Sequence, residues 1–346
     1  MINKSQEEIK RTWTNHNDSE PLVSISCTTY NHVNYIEQCL DGFLNQETNF
    51  PFEILIHDDC STDGTTEIIR EYTAKYPDII KTMYETENQY QQGKPTSSLI
   101  WNIPRAKGKY IAFCEGDDYW IDNNKLQEQV EFLEANVSYG MVYTNFNLYY
   151  QDKKLFHNNC FDLGKSNFRS AYNNINEWIE NLGYLAPMTW LYKKQLIIDG
   201  LQNYEELFLY SPDTTFVMFA YFLQFAKVKY INKTTAVYRV LQNSASHSKD
   251  INKLYEKNKA LYNTQLEIIK QFELSNEIVK DITKKYYRIN FKYLILLNKQ
   301  EELLDYKIFE KKLSISKKIL IFFSKNKAIR FILKEIYLEY KKHDKY

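Results

Sequence analysis

Short apolar runs alternate with segments of helical spacing over residues 22–120. Four runs have the length and apolar character of buried strands, and a polar segment follows each of them: Leu22–Cys27, Phe52–Ile56, Ile79–Tyr84 and Tyr110–Cys114. Residues 33–44 repeat apolar side chains at helical spacing, and residues 65–75 form a second predicted helix that Ser61 or Thr62 can cap. Strands that alternate with helices predict an α/β fold with a mostly parallel central sheet.

The pattern changes further along the chain. Residues 139–240 are mixed and predict a helix over Asp213–Phe225 and four strands: Tyr139–Tyr150, Met188–Tyr192, Lys227–Ile231 and Ala236–Val240. After residue 250 Gly and Pro are absent, and apolar residues recur at helical spacing up to residue 342. We therefore predict two domains, an α/β domain over residues 1–248 and a helical region over residues 249–346.

The charge of the chain divides at about the same place. The 346 residues carry 44 Lys plus Arg and 44 Asp plus Glu, and this zero net charge argues against a uniformly basic nucleic-acid binder. Residues 251–346 nevertheless hold 22 basic and only 12 acidic side chains. Two interpretations of the last part of this region, residues 311–346, remain open: a basic amphipathic helix on an anionic membrane surface, or a helical hairpin or bundle that packs its apolar face internally or in an oligomer interface.

The cysteines and the N-terminus bear on the cellular compartment. The five cysteines are odd in number and lack metal-site spacing, so buried free thiols in a reducing compartment are expected. The first residues have no apolar core typical of a signal peptide, and no apolar run reaches the ~18 residues of a membrane span. We expect a cytoplasmic protein, with peripheral attachment to the inner face of the membrane as the open alternative.

Polar clusters follow three of the predicted strands, at Thr28–Asn31, Asp58–Asp63 and Glu115–Asp118. Ligands of parallel α/β sheets bind at the carboxyl ends of the strands, so these clusters are candidates for one site. The last cluster has three carboxylates in four residues, and hard oxygen ligands suit Mg²⁺ or Mn²⁺. The alternative is a solvated turn whose acids cap the helix that starts near Asn123.

The acidic pair Asp58 and Asp59 has two interpretations as well. One carboxylate could accept the N–H of a nucleobase, with Tyr30 as a stacking face, or the pair could belong to a turn in which Ser61 and Asp63 satisfy local backbone groups. No Gly-rich phosphate loop or G-x-G-x-x-G segment is present. A Walker-type phosphate site and a dinucleotide fingerprint are therefore not supported.

Three segments resemble the inverting glycosyltransferases of family 2, which have the GT-A fold and include enzymes of bacterial polysaccharide and capsule synthesis. Residues 22–31 are similar to the opening strand and P-T-Y-N turn of that family. Residues 53–65, EILIHDDCSTDGT, are similar to its I-V-D-D-G-S-T-D-G-T segment, and residues 106–120, AKGKYIAFCEGDDYW, to its A-K-G-x-Y-I-A-x-x-D-x-D-D-x-W metal motif. The resemblance implies a GT-A nucleotide-diphospho-sugar transferase fold, with the helical C-terminal region as an extension.

The resemblance also implies roles for individual residues. Asp117, with Glu115 as the first acid of the motif, would hold Mn²⁺ or Mg²⁺, and Asp213 matches the catalytic base. The alternative for Asp213 is an acid that only complements the N-terminus of a helix. The residues that match the nucleotide site are Thr29, Tyr30, Asp58, Asp59, Glu115 and Gly116.

Several positions depart from the family pattern. The first acid of the metal motif is usually Asp, and Glu115 is one methylene longer. Residues 97–105 do not show the A-R-N-x-G segment, so a contribution of Arg105 or Lys107 to diphosphate binding stays open. Residues 238–240 resemble the late Y-R-x-H motif, but Leu241 stands at its His position. His247 is the nearest substitute as a ligand of the diphosphate or metal, and a surface histidine without a role is the alternative.

The implied function is inverting, metal-dependent transfer of a sugar from a nucleotide-diphosphate donor, with a UDP-sugar favoured, to a hydroxyl of a glycan or lipid-linked acceptor in cell-surface polysaccharide synthesis. The alternatives are a sugar nucleotidyltransferase and a non-catalytic scaffold subunit of a polysaccharide-synthesis complex. Five residues between the metal motif and Asp213 are candidates for lining the acceptor site, although core positions are expected among them: Trp178, Tyr184, Met188, Thr189 and Trp190.

Overall fold

The chain forms two compact units, Met1–Ser244 and Ala245–Tyr346. The computed structural model describes residues 4–14, 20–93, 98–163, 171–172, 174–181, 183, 186–241, 250–309 and 314–343. The domain boundary predicted between residues 248 and 249 lies outside the described residues and stays a prediction.

In the described part of the first unit, nine strands form one mixed sheet: β1 Val23–Thr29, β2 Phe52–Asp58, β3 Ile80–Tyr84, β4 Tyr110–Phe113, β5 Tyr119–Trp120, β6 Tyr139–Tyr150, β7 Leu155–His157, β8 Leu191–Lys193 and β9 Lys227–Val240. Eight of them are hydrogen-bonded in the order β3-β2-β1-β4-β8-β6-β9-β5. The ninth strand, β7, pairs with β6. The pairings β3–β2, β2–β1, β1–β4 and β6–β9 are parallel. The other pairings are antiparallel, so the sheet is parallel only in part.

Helices accompany this sheet along the chain. The α-helices of the first unit are α1 Gln6–Lys10, α2 Ile36–Leu44, α3 Thr65–Lys75, α4 Ser98–Trp101, α5 Lys125–Ala135, α6 Ile175–Glu180, α7 Lys194–Tyr210 and α8 Thr214–Phe225. Short 3₁₀ helices span Ile103–Arg105, Gln151–Lys153, Cys160–Leu163 and Pro187–Thr189. The helix α2 shows why the pattern folds this way, since the apolar residues at helical spacing are the buried ones: Ile36, Cys39, Leu40, Phe43 and Leu44.

The carboxyl ends of β1, β2 and β4 meet at one edge of the sheet. Thr29, the last residue of β1, pairs with Asp58, the last residue of β2. Beyond the end of β4 the chain continues alongside β1, because the Cys114 N–H donates to the Ser26 carbonyl and the Gly116 N–H to the Thr28 carbonyl, at 3.1 and 3.0 Å. The register therefore brings the three polar clusters together, as the order of the strands predicts.

Some local predictions are wrong. The helix α3 begins at Thr65 as predicted, but neither Ser61 nor Thr62 caps it, because Gly64 occupies the N-cap position at a φ of 104°. The two short strands predicted over residues 227–240 are one strand, β9, which pairs with the long strand β6. The register of this pairing shifts near Asn145 of β6, opposite the middle of β9. The strand predicted from Met188 begins only at Leu191, after a 3₁₀ turn.

The second unit is helical in its described part, with α9 Ile251–Gln271, α10 Glu277–Leu296, α11 Gln300–Phe309, α12 Ile315–Phe323 and α13 Lys327–His343. Its core joins residues from four of these helices: Ile251, Tyr255, Tyr293, Leu294, Ile295, Leu303 and Ile321. Among the described residues, no helix combines the length and the apolarity that a membrane crossing requires.

Candidate active site

The turns that follow β1 and β2 are cross-linked by hydrogen bonds. The Asn31 N–H donates to Ser61 Oγ at 2.9 Å, and the Thr62 N–H donates to Asn31 Oδ1 at 2.8 Å. The Val33 N–H donates to Asp63 Oδ2 at 3.1 Å. Asn31 has a φ of 54°, in the left-handed region that Asn tolerates better than most residues. The polar residues after β2 thus hold the backbone of the first turn in one conformation.

Asp58 and Asp59 are buried and accept hydrogen bonds from the protein. Asp58 Oδ1 accepts from the N–H and the hydroxyl of Ser61, at 3.1 and 2.5 Å, and Oδ2 accepts from the Thr66 hydroxyl at 2.5 Å. Asp59 accepts from the backbone N–H groups of Gln89 and Tyr90, at 2.7 and 3.2 Å. The turn predicted as the structural alternative is therefore present, and Ser61 supplies two of its bonds.

Three carboxylates after β4 form a compact cluster. One ligand oxygen from each of Glu115, Asp117 and Asp118 lies within 4.8 Å of the other two. Glu115 is exposed to solvent. The pKa of Glu115 is nevertheless raised, first by partial desolvation from the surrounding protein and then by repulsion from Asp117 and Asp213. Burial and the charges of Asp117 and Glu115 also raise the pKa of Asp118. Carboxylates that repel one another in this way fit a bound divalent cation.

Gly116 allows the acid cluster to lie against β1. A Cβ atom on this residue would be 2.6 Å from Thr29 Oγ1 and 2.8 Å from Thr29 Cβ, closer than packed atoms approach. Thr29 is itself buried, and its hydroxyl forms a 3.0 Å hydrogen bond with His32 Nδ1. The requirement for glycine at this position is thus steric.

We expect Gly116→Ala to lower the free energy of unfolding by about 1–3 kcal/mol, since the added methyl overpacks a buried contact. Chemical denaturation of the full chain measures this change. Unchanged stability in Gly116→Ala would contradict the steric explanation.

Arg239 connects β9 to the acid cluster. Its N–H donates to Asp118 Oδ1 and its Nε–H to the Asp117 carbonyl, both at 2.8 Å. The remaining guanidinium nitrogens donate to the amide oxygens of Gln151 and Gln38, at 2.6 and 2.7 Å. Arg239 is buried, and its rigid fork of donors fixes the backbone of the acid cluster.

His32 is a site residue that the sequence analysis did not identify. Its Nε2 lies 3.9 Å from Asp117 Oδ2, and its Nδ1 bonds to Thr29 as described. Burial lowers the pKa of His32, and the charges of Asp117, Asp63 and Asp58 oppose that shift. The signal available in the sequence was its position directly after the polar turn of β1, where a ring can reach the edge of the sheet.

Asp213 is an exposed N-cap residue of α8. Its Oδ1 accepts from the Phe216 N–H at 3.0 Å and from the Thr215 hydroxyl at 2.6 Å. The helix-terminus role considered as the alternative is therefore real. Asp213 also lies close enough to Glu115 for its charge to raise the pKa of Glu115, so both carboxylates belong to the same region. The geometry permits a second role beside capping.

The remaining candidates are the residues proposed for the acceptor site and for diphosphate or metal binding. Trp178, Met188, Thr189 and Trp190 are at most 2% exposed, so of the two interpretations the core position applies to these four residues. Arg105 donates to the carbonyls of Lys81 and Ile56, at 3.1 and 2.8 Å. Lys107 precedes β4, at the sheet edge opposite the acid cluster, where a diphosphate contact is not expected. Tyr184 and His247 lie outside the described residues, and their roles stay predictions.

The five cysteines are free thiols. Cys27, Cys39 and Cys114 are buried, and the Cys39 thiol donates to the Glu115 carbonyl at 3.4 Å. The thiols therefore pack beneath the acid cluster as small apolar groups.

The chain is similar to known proteins over the part that contains this site. The sequence model of glycosyl transferase family 2 matches residues 24–201, just over half of the chain. An uncharacterized protein of Mycobacterium tuberculosis is 38% identical over 130 residues, which cover 38% of this chain and 36% of that protein. The Bacillus subtilis protein TuaG, named as a glycosyltransferase of teichuronic acid biosynthesis, is 36% identical over 133 residues, which cover 38% of this chain and 50% of TuaG.

A solved structure extends the similarity to most of the chain. The crystal structure of S. aureus TarS 1–349 in complex with UDP-GlcNAc matches with a TM-score of 0.54 at 17% identity, covering 87% of this chain and 79% of that one. At this level of identity the match shows a shared fold. The sequence alignments to the curated relatives described above span between about a third and a half of those proteins.

Proposed function

The chain belongs to glycosyl transferase family 2, and we propose that it transfers a sugar from a nucleotide-diphosphate donor to a hydroxyl of a glycan or lipid-linked acceptor in cell-surface polysaccharide synthesis. The observation that carries the proposal is the meeting of three features at one sheet edge. These are the cross-linked turns after β1 and β2, the acid cluster after β4, and Asp213 within electrostatic range of Glu115. A nucleotide, a diphosphate and an acceptor hydroxyl each have a matching group there.

The turns after β1 and β2 would hold the nucleotide, through Thr29, Tyr30, Asp58 and Asp59. A carboxylate offers about four lone-pair sites. Asp58 uses three and Asp59 two in the described contacts, so each retains capacity for the N–H of a base. Tyr30 is half-buried beside them and offers a ring face. A UDP-sugar is the favoured donor, because TarS, which shares this fold, was solved with UDP-GlcNAc.

The acid cluster would hold the divalent cation, Mn²⁺ or Mg²⁺. We assign Asp117 and Glu115 as ligands, since both are accessible and Asp118 is buried against the Arg239 N–H. When bound, the cation neutralises charge on the nucleoside diphosphate. Gly116 keeps the cluster against the nucleotide turn, and Arg239 keeps its backbone in place. His247 stays a predicted additional ligand.

Asp213 would act as the general base of a single displacement. Its carboxylate takes the proton of the acceptor hydroxyl, whose oxygen forms a bond to the anomeric carbon from the face opposite the diphosphate. The bond from the anomeric carbon to the diphosphate oxygen breaks, and its electron pair stays on that oxygen. Because one displacement occurs, the anomeric configuration inverts and no enzyme nucleophile is needed.

A donor screen tests this function. The full chain is incubated with UDP-, GDP- and TDP-sugars and Mn²⁺, and release of the nucleoside diphosphate is measured. We expect release from a UDP-sugar to be the fastest, with a first-formed sugar of the opposite anomeric configuration. Formation of a nucleoside triphosphate and a sugar 1-phosphate when pyrophosphate is added would indicate a nucleotidyltransferase. No turnover of any donor, with or without added glycan acceptors or pyrophosphate, would indicate a scaffold subunit.

A further inference from the structure

The helices α12 and α13 carry large apolar side chains that are exposed in the described part of the chain. We call these residues the α12–α13 patch, and their exposed fractions lie between 37% and 71%: Ile319, Leu320, Phe322, Phe323, Phe331, Ile332 and Ile336. The helices adjoin through residues 324–326, and the rings of Phe322 and Phe323 contact each other edge to face at 5.5 Å. Apolar side chains concentrated in this way on a surface mark an interaction site.

The patch is additional to the face that stabilises the unit. Ile321 of α12 is buried in the helical core, and Leu333 and Tyr337 of α13 pack against it. Each helix therefore already has an inward apolar face, and the exposed residues are not needed to complete that core. Their exposure requires a partner outside the unit to explain it.

The segment that carries the α12–α13 patch is also rich in lysine. Residues 314–343 contain eight Lys and Arg but only two Glu. Four of the lysines, Lys318, Lys325, Lys327 and Lys334, are exposed and form no ion pair within the described part of the chain. Apolar side chains beside a surplus of basic ones match a surface that offers hydrocarbon next to negative charge.

We propose that the α12–α13 patch binds the surface of an anionic lipid bilayer, with its aromatic and aliphatic side chains in the interface and its lysines at the phosphate groups. A second copy of the chain is a poorer match, because a two-fold contact between identical patches would bring together two sets of eight basic residues with only two Glu in each set to compensate them. This inference concerns attachment, and it does not rest on the proposed transferase activity.

Vesicle flotation of the full chain tests the proposal. We expect the protein to float with vesicles of phosphatidylcholine containing 30% phosphatidylglycerol and to remain unbound with pure phosphatidylcholine. Phe322→Ser combined with Phe331→Ser should reduce the bound fraction at least ten-fold, as should replacement of Lys318, Lys325, Lys327 and Lys334 by Gln. All six side chains are exposed, so the fold should survive, which circular dichroism checks.

Matched control variants distinguish binding by the α12–α13 patch from a nonspecific attraction of exposed apolar or basic side chains to the vesicles. Phe156→Ser with Phe225→Ser removes two exposed phenylalanines of the first unit, and Gln at Lys253, Lys257, Lys280 and Lys284 removes the same charge elsewhere in the helical unit. Both controls should bind like the unaltered chain. Three results would each overturn the proposal. The first is that the controls lose as much vesicle binding as the patch variants, and the second is that the chain binds uncharged vesicles equally well. The third is that the chain binds no vesicles and forms a dimer that the Phe322 and Phe331 changes dissociate.

Discussion

We expect Asp213→Asn to lose sugar transfer by about 10²- to 10⁴-fold in kcat while donor affinity stays unchanged, because the amide cannot take the proton of the acceptor hydroxyl. This follows from the assignment of Asp213 as general base. Initial rates with the donor found in the screen measure transfer, and calorimetry with the same donor and Mn²⁺ measures binding.

Asn is the substitution that separates the two roles of Asp213. The residue caps α8 through bonds from Phe216 and Thr215 to Oδ1, and Asn is about as good an N-cap as Asp. Ala would remove the cap and cost about 0.5–2 kcal/mol of stability, which would confuse the result. With Asn, a loss of rate reflects chemistry and not unfolding.

The control for Asp213→Asn is Asp199→Asn on α7, which neutralises a helix carboxylate of the same unit whose Oδ1 accepts from the Gln195 side-chain amide at 2.8 Å. Its transfer rate should equal that of the unaltered chain. A normal rate in Asp213→Asn would exclude Asp213 as the base and leave helix capping as its role. Weakened donor binding in this variant would instead indicate that Asp213 contacts the donor.

The second large effect concerns Asp117. We expect Asp117→Ala to weaken donor binding in the presence of Mn²⁺ by at least about 100-fold, a loss at the upper end of those caused by changes around metal sites. Without Mn²⁺ the variant and the unaltered chain should bind the donor equally weakly. Calorimetric titration of a UDP-sugar with and without Mn²⁺ makes both comparisons.

Glu71→Ala removes an exposed carboxylate from the middle of α3 and serves as the control for Asp117→Ala. It should keep the full effect of Mn²⁺. If Asp117→Ala also keeps that effect, Asp117 is not a ligand and the cluster is a structural turn. Because Asp117 is half-buried next to His32, thermal unfolding of the variant is needed to show that the fold is retained.

The relation of sequence to fold is clear in the first four strands. The runs in β1 and β2 are buried along almost their whole length, an environment that favours the apolar and β-branched residues that are easy to recognise, whereas most of β3 is half-buried. The comparison with TarS confirms the predicted GT-A class of fold. The predicted β6 agrees with the structure from Tyr139 to Tyr150. The middle of β9 was missed because its polar residues are held by partners far away in the sequence, among them β6, Asp122 and Glu128.

The residues that line the acceptor site could not be identified from the sequence, for a related reason. Trp178 and Trp190 look like sugar-binding aromatics in the sequence, but both contact Phe219 of α8 in the interior, at centroid distances of 5.1 and 5.9 Å. A sequence records that a side chain is aromatic and not which surface covers it. Exposure, which separates core from contact, depends on neighbours far away along the chain.

The sequence by itself determined the local chemistry of this protein: strands that end in polar turns, three acids in four residues, and a basic helical end. It could do so because strand periodicity, turn composition and charge act between residues close together in the chain. Only the tertiary structure decided that Arg239 holds the acid cluster, that His32 lies beside Asp117, and that Asp213 both caps α8 and lies near Glu115. Those contacts join residues up to about 120 positions apart, and they exist because sheet pairing brings distant strand ends to one edge.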